Sequence, residues 1–259
     1  MIHNSGDELI RLRDVTKIYK TVQGALVTAV DSINFDLDAN EFITIVGPSG
    51  SGKSTILHLV AGIEKPSKGT VEFLSIPTKP KIGFVFQSNT IFPWRTVEHN
   101  LSYPLEIKGA SHKERLEVAT KICQAIGLNP KSYLHKYPKE LSGGEQRRVA
   151  VGMALTYRAD ILLLDEPTSQ LDYIARLSLH ELIVNLWKKE KFGVILVTHD
   201  LDEAISLGQR VLILDDGKLK KSLKIELPYP RNECIRNSKL FTDYKEEIIS
   251  LTSKNTNKL

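Results

Sequence analysis

Residues 47–55 read Gly47-Pro48-Ser49-Gly50-Ser51-Gly52-Lys53-Ser54-Thr55: a glycine, four residues, then Gly-Lys-Ser. Glycines at those places let backbone N–H groups turn inward around an anion, and a helix starting there adds its positive end. Such a loop suits nucleotide phosphates, with Lys53 neutralising the β and γ phosphates and the Ser54 hydroxyl ligating Mg2+. A second stretch, Leu141-Ser142-Gly143-Gly144-Glu145-Gln146, repeats the logic of bare amides at a helix N-terminus. A third, Ile161-Leu-Leu-Leu-Asp165-Glu166, brings two adjacent carboxylates to the end of an apolar run. Alone it is any strand end. Beside a phosphate loop it becomes specific: Asp165 holds Mg2+ through its water shell and Glu166 faces the attacking water. Phosphoryl transfer needs positioning and charge compensation more than a strong base. Glu166 is therefore read as orienting the water, its formal role as base left open.

These residues need strands and helices to place them. Glu41 to Gly47 is a short apolar strand entering the phosphate loop, and Thr55 to Ala61 is a helix that Gly62 ends. Leu9–Arg13 and Ser32–Leu37 alternate as in a half-buried antiparallel sheet. Gly83 to Gln87 is a strand ending in glutamine. From about 92 to about 154 the pattern turns helical. Thr96 caps a helix from Val97, Ser111 with Glu114 has capping-box spacing for another running to Ile126, and a third spans Glu145 to Leu155. Ile161–Asp165 and Gly193–His199 are buried strands, with helices from Tyr173 to Lys191 and Leu201 to Leu207. Arg210–Asp215 and Gly217–Leu219 form a hairpin around Asp216-Gly217. Pro228 and Pro230 mark a boundary, and residues 231–259 read as a short charged tail that frays.

The chain has 259 residues, 41% hydrophobic and 25% charged, enough for one large domain with an insertion. No apolar run approaches the roughly 20 residues of a membrane-spanning helix. The N-terminus lacks a secretory pattern, so a cytosolic chain is expected, touching a membrane through a partner or its surface. Cys123 and Cys234 lie far apart and read as reduced structural thiols. The formal net charge of +4 is too small for a dedicated nucleic-acid binder. Part of the excess lies at Lys218, Lys220, Lys221 and Lys224, as a solvated face or as an attraction for anionic lipid headgroups.

The phosphate loop, the Ser142-Gly143-Gly144 stretch and the Asp165-Glu166 strand end, in this order, resemble the ABC ATPase family over about residues 9–230. The resemblance implies an α/β fold: a P-loop NTPase (RecA-like) core with an antiparallel β subdomain and an inserted α-helical subdomain at about 92–154, the cassette spanning residues 1–230. It implies ATP and Mg2+. Gln87 would ligate the metal and contact the water, and His199 would contact the γ-phosphate. A lone glutamine is otherwise uninformative and a lone histidine usually structural. Tyr19 stands where the family sets an aromatic ring against adenine; the other reading is an exposed strand tyrosine. Ser142, Gly143 and Gly144 would complete the pocket of a second copy, giving a homodimer in the ATP state. Ser169-Gln170-Leu171-Asp172 resembles the interface loop, usually Ser-Ala-Leu-Asp, so Gln170 departs from the pattern and Asp172 matches it.

A single cassette with no attached membrane domain looks like the separate ATPase subunit of an importer. Ile91-Phe92-Pro93-Trp94-Arg95-Thr96-Val97 and Leu227-Pro228-Tyr229-Pro230-Arg231 resemble the nitrate, sulfonate, taurine and bicarbonate group. Trp94 either lines a groove for a permease helix or packs in the core. The implied partners are an integral-membrane permease and an extracytoplasmic solute-binding protein, with no nucleic acid, at the cytoplasmic face of the membrane. An exporter or lipid-transport subunit is an alternative. So is a soluble ABC ATPase acting on nucleic acid or ribosomes, although the chain lacks the long coiled coil or second cassette of those proteins. A nucleotide kinase would leave Ser142–Gly144 and His199 unexplained.

Overall fold

The computed structural model describes residues 8–74, 80–88 and 91–252. The chain forms two compact units, Met1–Lys79 with Gly193–Leu259, and Pro80–Phe192. The first opens with β1 (Glu8–Lys20), β2 (Leu26–Asp38), β3 (Phe42–Val46), α1 (Lys53–Val60) and β4 (Lys68–Phe73). The second holds β5 (Ile82–Val85), α2 (Val97–Glu106), α3 (His112–Ala125), α4 (Pro130–Tyr133), a 3-10 turn (Pro138–Glu140), α5 (Gly143–Leu155), β6 (Ile161–Asp165) and α6 (Tyr173–Glu190). The chain then returns to the first unit with β7 (Gly193–Val197), α7 (Leu201–Leu207), β8 (Arg210–Asp215), β9 (Lys218–Lys224), α8 (Glu233–Arg236) and α9 (Lys239–Thr252).

In the first unit β1 runs antiparallel between β2 and β4. Separately, β3 lies parallel between β7 and β8, and β9 closes on β8 through a hairpin. Every residue of β3 and β7 is buried. That explains their almost wholly apolar composition, because a parallel strand covered on both faces has no solvent side to alternate with; the buried Thr44 of β3 donates its hydroxyl to the Ala204 carbonyl. The hairpin turns at Asp216 (φ 48°) and Gly217 (φ 71°), both left-handed, as an Asp-Gly turn between twisted strands requires. In the second unit β5 pairs in parallel with β6, and α2 to α5 follow the helical periodicity read over 92–154.

Several local expectations are corrected. Helix α5 starts at Gly143, two residues before the expected Glu145, because Ser142 is the cap. Strand β5 stops at Val85, leaving Gln87 two residues beyond the strand. The carbonyls of Phe86 and Gln87 turn out of the ladder to accept from Arg147. Likewise β7 ends at Val197, and His199 follows a turn in which the Thr198 hydroxyl accepts from the Asp200 amide. Strand β4 was not foreseen, since its polar sequence hides the pairing with β1.

The segment after Pro230 is no fraying tail over its described length. Phe241, Tyr244, Ile248 and Leu251 recur at helical spacing and place one face of α9 on the core of Val46, Ile205, Val211 and Ile213. Charge density had masked that stripe; residues 253–259 lie outside the described residues. The four lysines noted above each face a carboxylate: Lys218 with Asp31 (3.3 Å), Lys220 with Asp215 (3.7 Å), Lys224 with Glu226 (3.4 Å), and Lys221 with Glu247. This favours the solvated face over a lipid-binding one. Cys123 is buried, its thiol pushed up to about 11 by burial, in keeping with an unreactive packing role.

Arg231 is 5% exposed. Its guanidinium donates to the carbonyls of Ile205 and Gly208, both at 2.5 Å, and of Leu227 at 3.2 Å. The Tyr229 hydroxyl donates to the Leu207 carbonyl. Together they satisfy the carbonyls that the end of α7 leaves without helical partners. Replacing Arg231 by Met should orphan those carbonyls and cost about 2–4 kcal/mol, lowering the Tm by roughly 5–15 °C. A thermal melt within a degree of the parent would contradict this capping role.

Candidate functional site

In the first unit, β3 runs straight into the loop at residues 47–55. At Gly47 the loop passes so close to β8 that an added Cβ would lie 2.0 Å from the Leu214 carbonyl oxygen. Gly52 (φ 96°) is the N-cap of α1 in the left-handed region, and a Cβ there would meet the Ala29 carbonyl at 2.2 Å. Among the described residues no side chain caps α1, and its first turn holds no acidic residue. Its positive end is thus offered to an anion.

The Lys53 side chain is 7% exposed, and its ammonium donates to the carbonyls of Gly47 and Pro48, both at 2.9 Å. The loop is therefore curled around its own cation. The Ser51 hydroxyl is buried there, with no hydrogen-bond partner among the described residues. A buried orphan hydroxyl is costly, and an anionic oxygen in the loop would satisfy it. By this measure the residues fit a phosphate group.

Tyr19 stands near the end of β1. Its hydroxyl donates to the Glu64 carboxylate (2.7 and 2.8 Å) and also engages the Thr55 side chain on the first turn of α1. Burial and the Glu64 carboxylate both raise the phenol above its ordinary value, keeping it protonated. The Lys17 ammonium sits 2.8 Å from Glu64 and 5.1 Å from the ring centroid. The tyrosine is thus neither loose nor wholly exposed. His199 is set between the turn at Thr198 and Asp200, which caps α7 by accepting from the amides of Asp202 (2.9 Å) and Glu203 (3.1 Å).

In the second unit, β6 is buried throughout and carries Asp165 at its end. Glu166 follows with φ 43°, a left-handed conformation that costs a non-glycine residue of order 1 kcal/mol. Its carboxylate accepts from the Gln87 side-chain amide at 3.0 Å. Two residues singled out from distant parts of the sequence are thereby in direct contact.

Ser142 and Glu145 form a reciprocal capping box: the hydroxyl accepts from the Glu145 amide (3.3 Å), and the carboxylate accepts from the Ser142 amide (2.7 Å). The Tyr133 hydroxyl donates to Glu145 at 2.6 Å and is the main cause holding that carboxyl below the usual range, against an opposing effect of burial. Gly144 approaches Ala175, where an added Cβ would stand 3.2 Å from the alanine Cβ, and Gly143 faces Leu171. The start of α5 is thus packed on the segment at 171–175. Asp172 there caps α6, accepting from the Ala175 amide at 2.9 Å, and Gln170 is exposed.

Sequence reasoning missed Arg147. In a Gln-Arg-Arg run after two glycines it reads as a surface residue, yet it is buried against residues 86 and 87. The Ser51 hydroxyl was read only as part of the loop pattern.

A family model described as "ABC transporter" matches residues 30–169. The chain is 37% identical over 246 residues to the aliphatic sulfonates import ATP-binding protein SsuB of Bacillus cereus, covering 93% of this chain and 94% of that one. It is 35% identical over 254 residues to the nitrate import ATP-binding protein NrtD of Synechocystis, again covering 93% and 94%. Its fold is similar to the dimeric post-hydrolysis structure of the ATP-binding cassette MJ0796 bound to ADP and Pi. There the TM-score is 0.75 at 32% identity, covering 85% of this chain and all of that one.

Removing the Tyr133 hydroxyl should cost about 1–2 kcal/mol at neutral pH, the worth of a hydrogen bond to a charged acceptor. Because Glu145 is depressed in the folded state, that stability is complete above the ordinary carboxylate range and is lost as pH falls through the depressed value. Urea unfolding of Tyr133→Phe and the parent should therefore differ at neutral pH and converge in acid. A gap that persists undiminished in acid would assign the effect to packing.

Proposed function

This chain belongs to the ABC transporter family as an ATP-binding subunit, and on that premise we propose that it hydrolyses ATP to drive uptake of a small solute through a partner permease. The observation that carries the reading is its similarity, over nine-tenths of their lengths, to proteins named as import ATP-binding subunits. Those names favour a small anion such as a sulfonate or nitrate as cargo. On this reading the cassette runs over residues 1–230 with its helical insertion at about 92–154. The chain works at the cytoplasmic face of the membrane as a peripheral subunit. Among the described residues no helix is long and apolar enough to cross a membrane. An extracytoplasmic solute-binding protein would deliver the cargo, and no nucleic acid takes part.

In the proposed mechanism the amides of residues 47–55 and the end of α1 bind the ATP phosphates. Lys53 exchanges loop carbonyls for phosphate oxygens, and the Ser51 hydroxyl gains a partner. Tyr19, steadied by Glu64, offers its ring to adenine. Ser54, Gln87 and Asp165 would hold Mg2+, which when bound neutralises phosphate charge. Glu166 orients the attacking water, and Gln87 fixes the Glu166 carboxylate through its 3.0 Å bond. His199 contacts the γ-phosphate. The start of α5, with Ser142, Gly143 and Gly144, and the loop with Asp172 complete the pocket of a second copy. Two ATP molecules then close a homodimer, and hydrolysis reopens it, because ATP stabilises the closed pair and its products do not.

The segment at 91–97 supplies the permease contact. Trp94 is 71% exposed on a stiff turn. Asn100 clamps that turn by accepting from the Phe92 amide (2.7 Å) and donating to the carbonyls of Phe92, Arg95 and Thr96. Arg95 lies over the Tyr103 ring at 4.9 Å and forks onto Glu106. A rigid, exposed indole of this kind is a low-entropy anchor for a protein partner.

Lys53→Ala should abolish turnover. Glu166→Gln should bind ATP, hydrolyse it very slowly and accumulate as a dimer. Recovered from its native membranes with ATP present, tagged Glu166→Gln should bring down a multi-span permease, and adding Trp94→Ala should weaken that recovery while leaving ATP binding intact. Ribosomal proteins or nucleic acid in place of a permease would overturn the transport reading.

A further inference from the structure

Arg147 lies in the second turn of α5 and is 4% exposed. Among the described residues no carboxylate pairs with it. Its two terminal nitrogens donate to the backbone carbonyls of Phe86 (2.9 Å) and Gln87 (2.7 Å), just past the end of β5. Burial lowers the guanidinium from its ordinary value, and no neighbouring charge offsets the shift. Burying an unpaired cation is expensive, and apolar residues of similar size would fill the same space. A planar fork of donors does something they cannot: it grips two successive carbonyls and fixes the direction of the chain there. The side chain of the gripped Gln87 is the one that donates to Glu166.

We propose that Arg147 is a positioning residue for hydrolysis. It ties the Gln87 backbone to α5 and thereby keeps the Gln87 amide on the Glu166 carboxylate. The inference rests on the roles given above to Gln87 and Glu166. It adds a link within one unit, since the helix that carries Arg147 begins at Ser142, Gly143 and Gly144. In a head-to-tail pair, the helix end that touches one nucleotide is then tied to the water-orienting residue of the other site.

The test compares the purified full chain with Arg147→Met, Gln87→Ala and the double variant. Arg147→Met should lower kcat about tenfold or more, as small misplacements of catalytic groups do, with KM for ATP within about twofold. Without ATP, hydrogen exchange of the amides at 86–88 should quicken about tenfold while α3 is unchanged. In the Gln87→Ala background the Arg147 change should cost nothing further, because the group it positions is gone. Losses that multiply in the double variant, or unchanged exchange at 86–88, would overturn the inference while leaving Gln87 in its role. An unaltered kcat in Gln87→Ala alone would remove that role and the inference together. Should the methionine variant not fold, Arg147→Lys, which reaches one carbonyl, should show the same split at about threefold. Wild-type exchange and kcat in the lysine variant would then count against the tie.

Discussion

Among the described glycines the tightest approach is at Gly47, where a single added methyl would stand 2.0 Å from the Leu214 carbonyl. Much of the phosphate loop follows from it. The backbone can pass there only without a side chain, and β3 must end so that the next residues turn inward. Gly52 repeats the condition against the Ala29 carbonyl. Two backbone approaches, from β8 and from β2, thus fix both ends of the loop. Its amides are placed by the packing of strands more than by their own preferences.

Buried cations held by backbone carbonyls recur through the fold. Lys53 holds the carbonyls of Gly47 and Pro48, Arg147 those of Phe86 and Gln87, and Arg231 those of Ile205 and Gly208. Each site joins a turn or helix end to the element carrying the cation. The cation supplies donors that irregular backbone needs when it leaves water. Both arginines are pushed below their ordinary value by burial, so their charge is kept at a cost that the carbonyl bonds must offset. On the proposed reading Lys53 differs in gaining a stronger anionic partner, the phosphate that the loop would bind and release.

Surface electrostatics are organised differently. The lysines of β9 that raise the chain's positive balance each face a carboxylate, two of those carboxylates lying on β2 and on α9. Exposed pairs of this kind contribute little stability singly. Their effect is to offset the lysine charge along that edge, in line with the proposed contact through a protein partner. The exposed Trp94, braced by Asn100 and Arg95, is the better candidate for that contact.

Residue spacing alone was enough to make the candidate nucleotide site legible. A glycine loop opening a helix, two carboxylates ending an apolar strand, and a second glycine pair at a helix start are local patterns, and the backbone physics behind them is local too. The Asp216-Gly217 turn and the caps at Thr96 and Ser111 were legible for the same reason. Tertiary structure decided what depended on partners far along the chain. The Gln87–Glu166 bond joins residues 79 positions apart. Burial of Arg147 and Arg231 required carbonyls that no spacing rule identifies. The seating of α9 on β8 turned an apparently charged tail into core, because charge dominates composition while burial depends only on the stripe that faces inward.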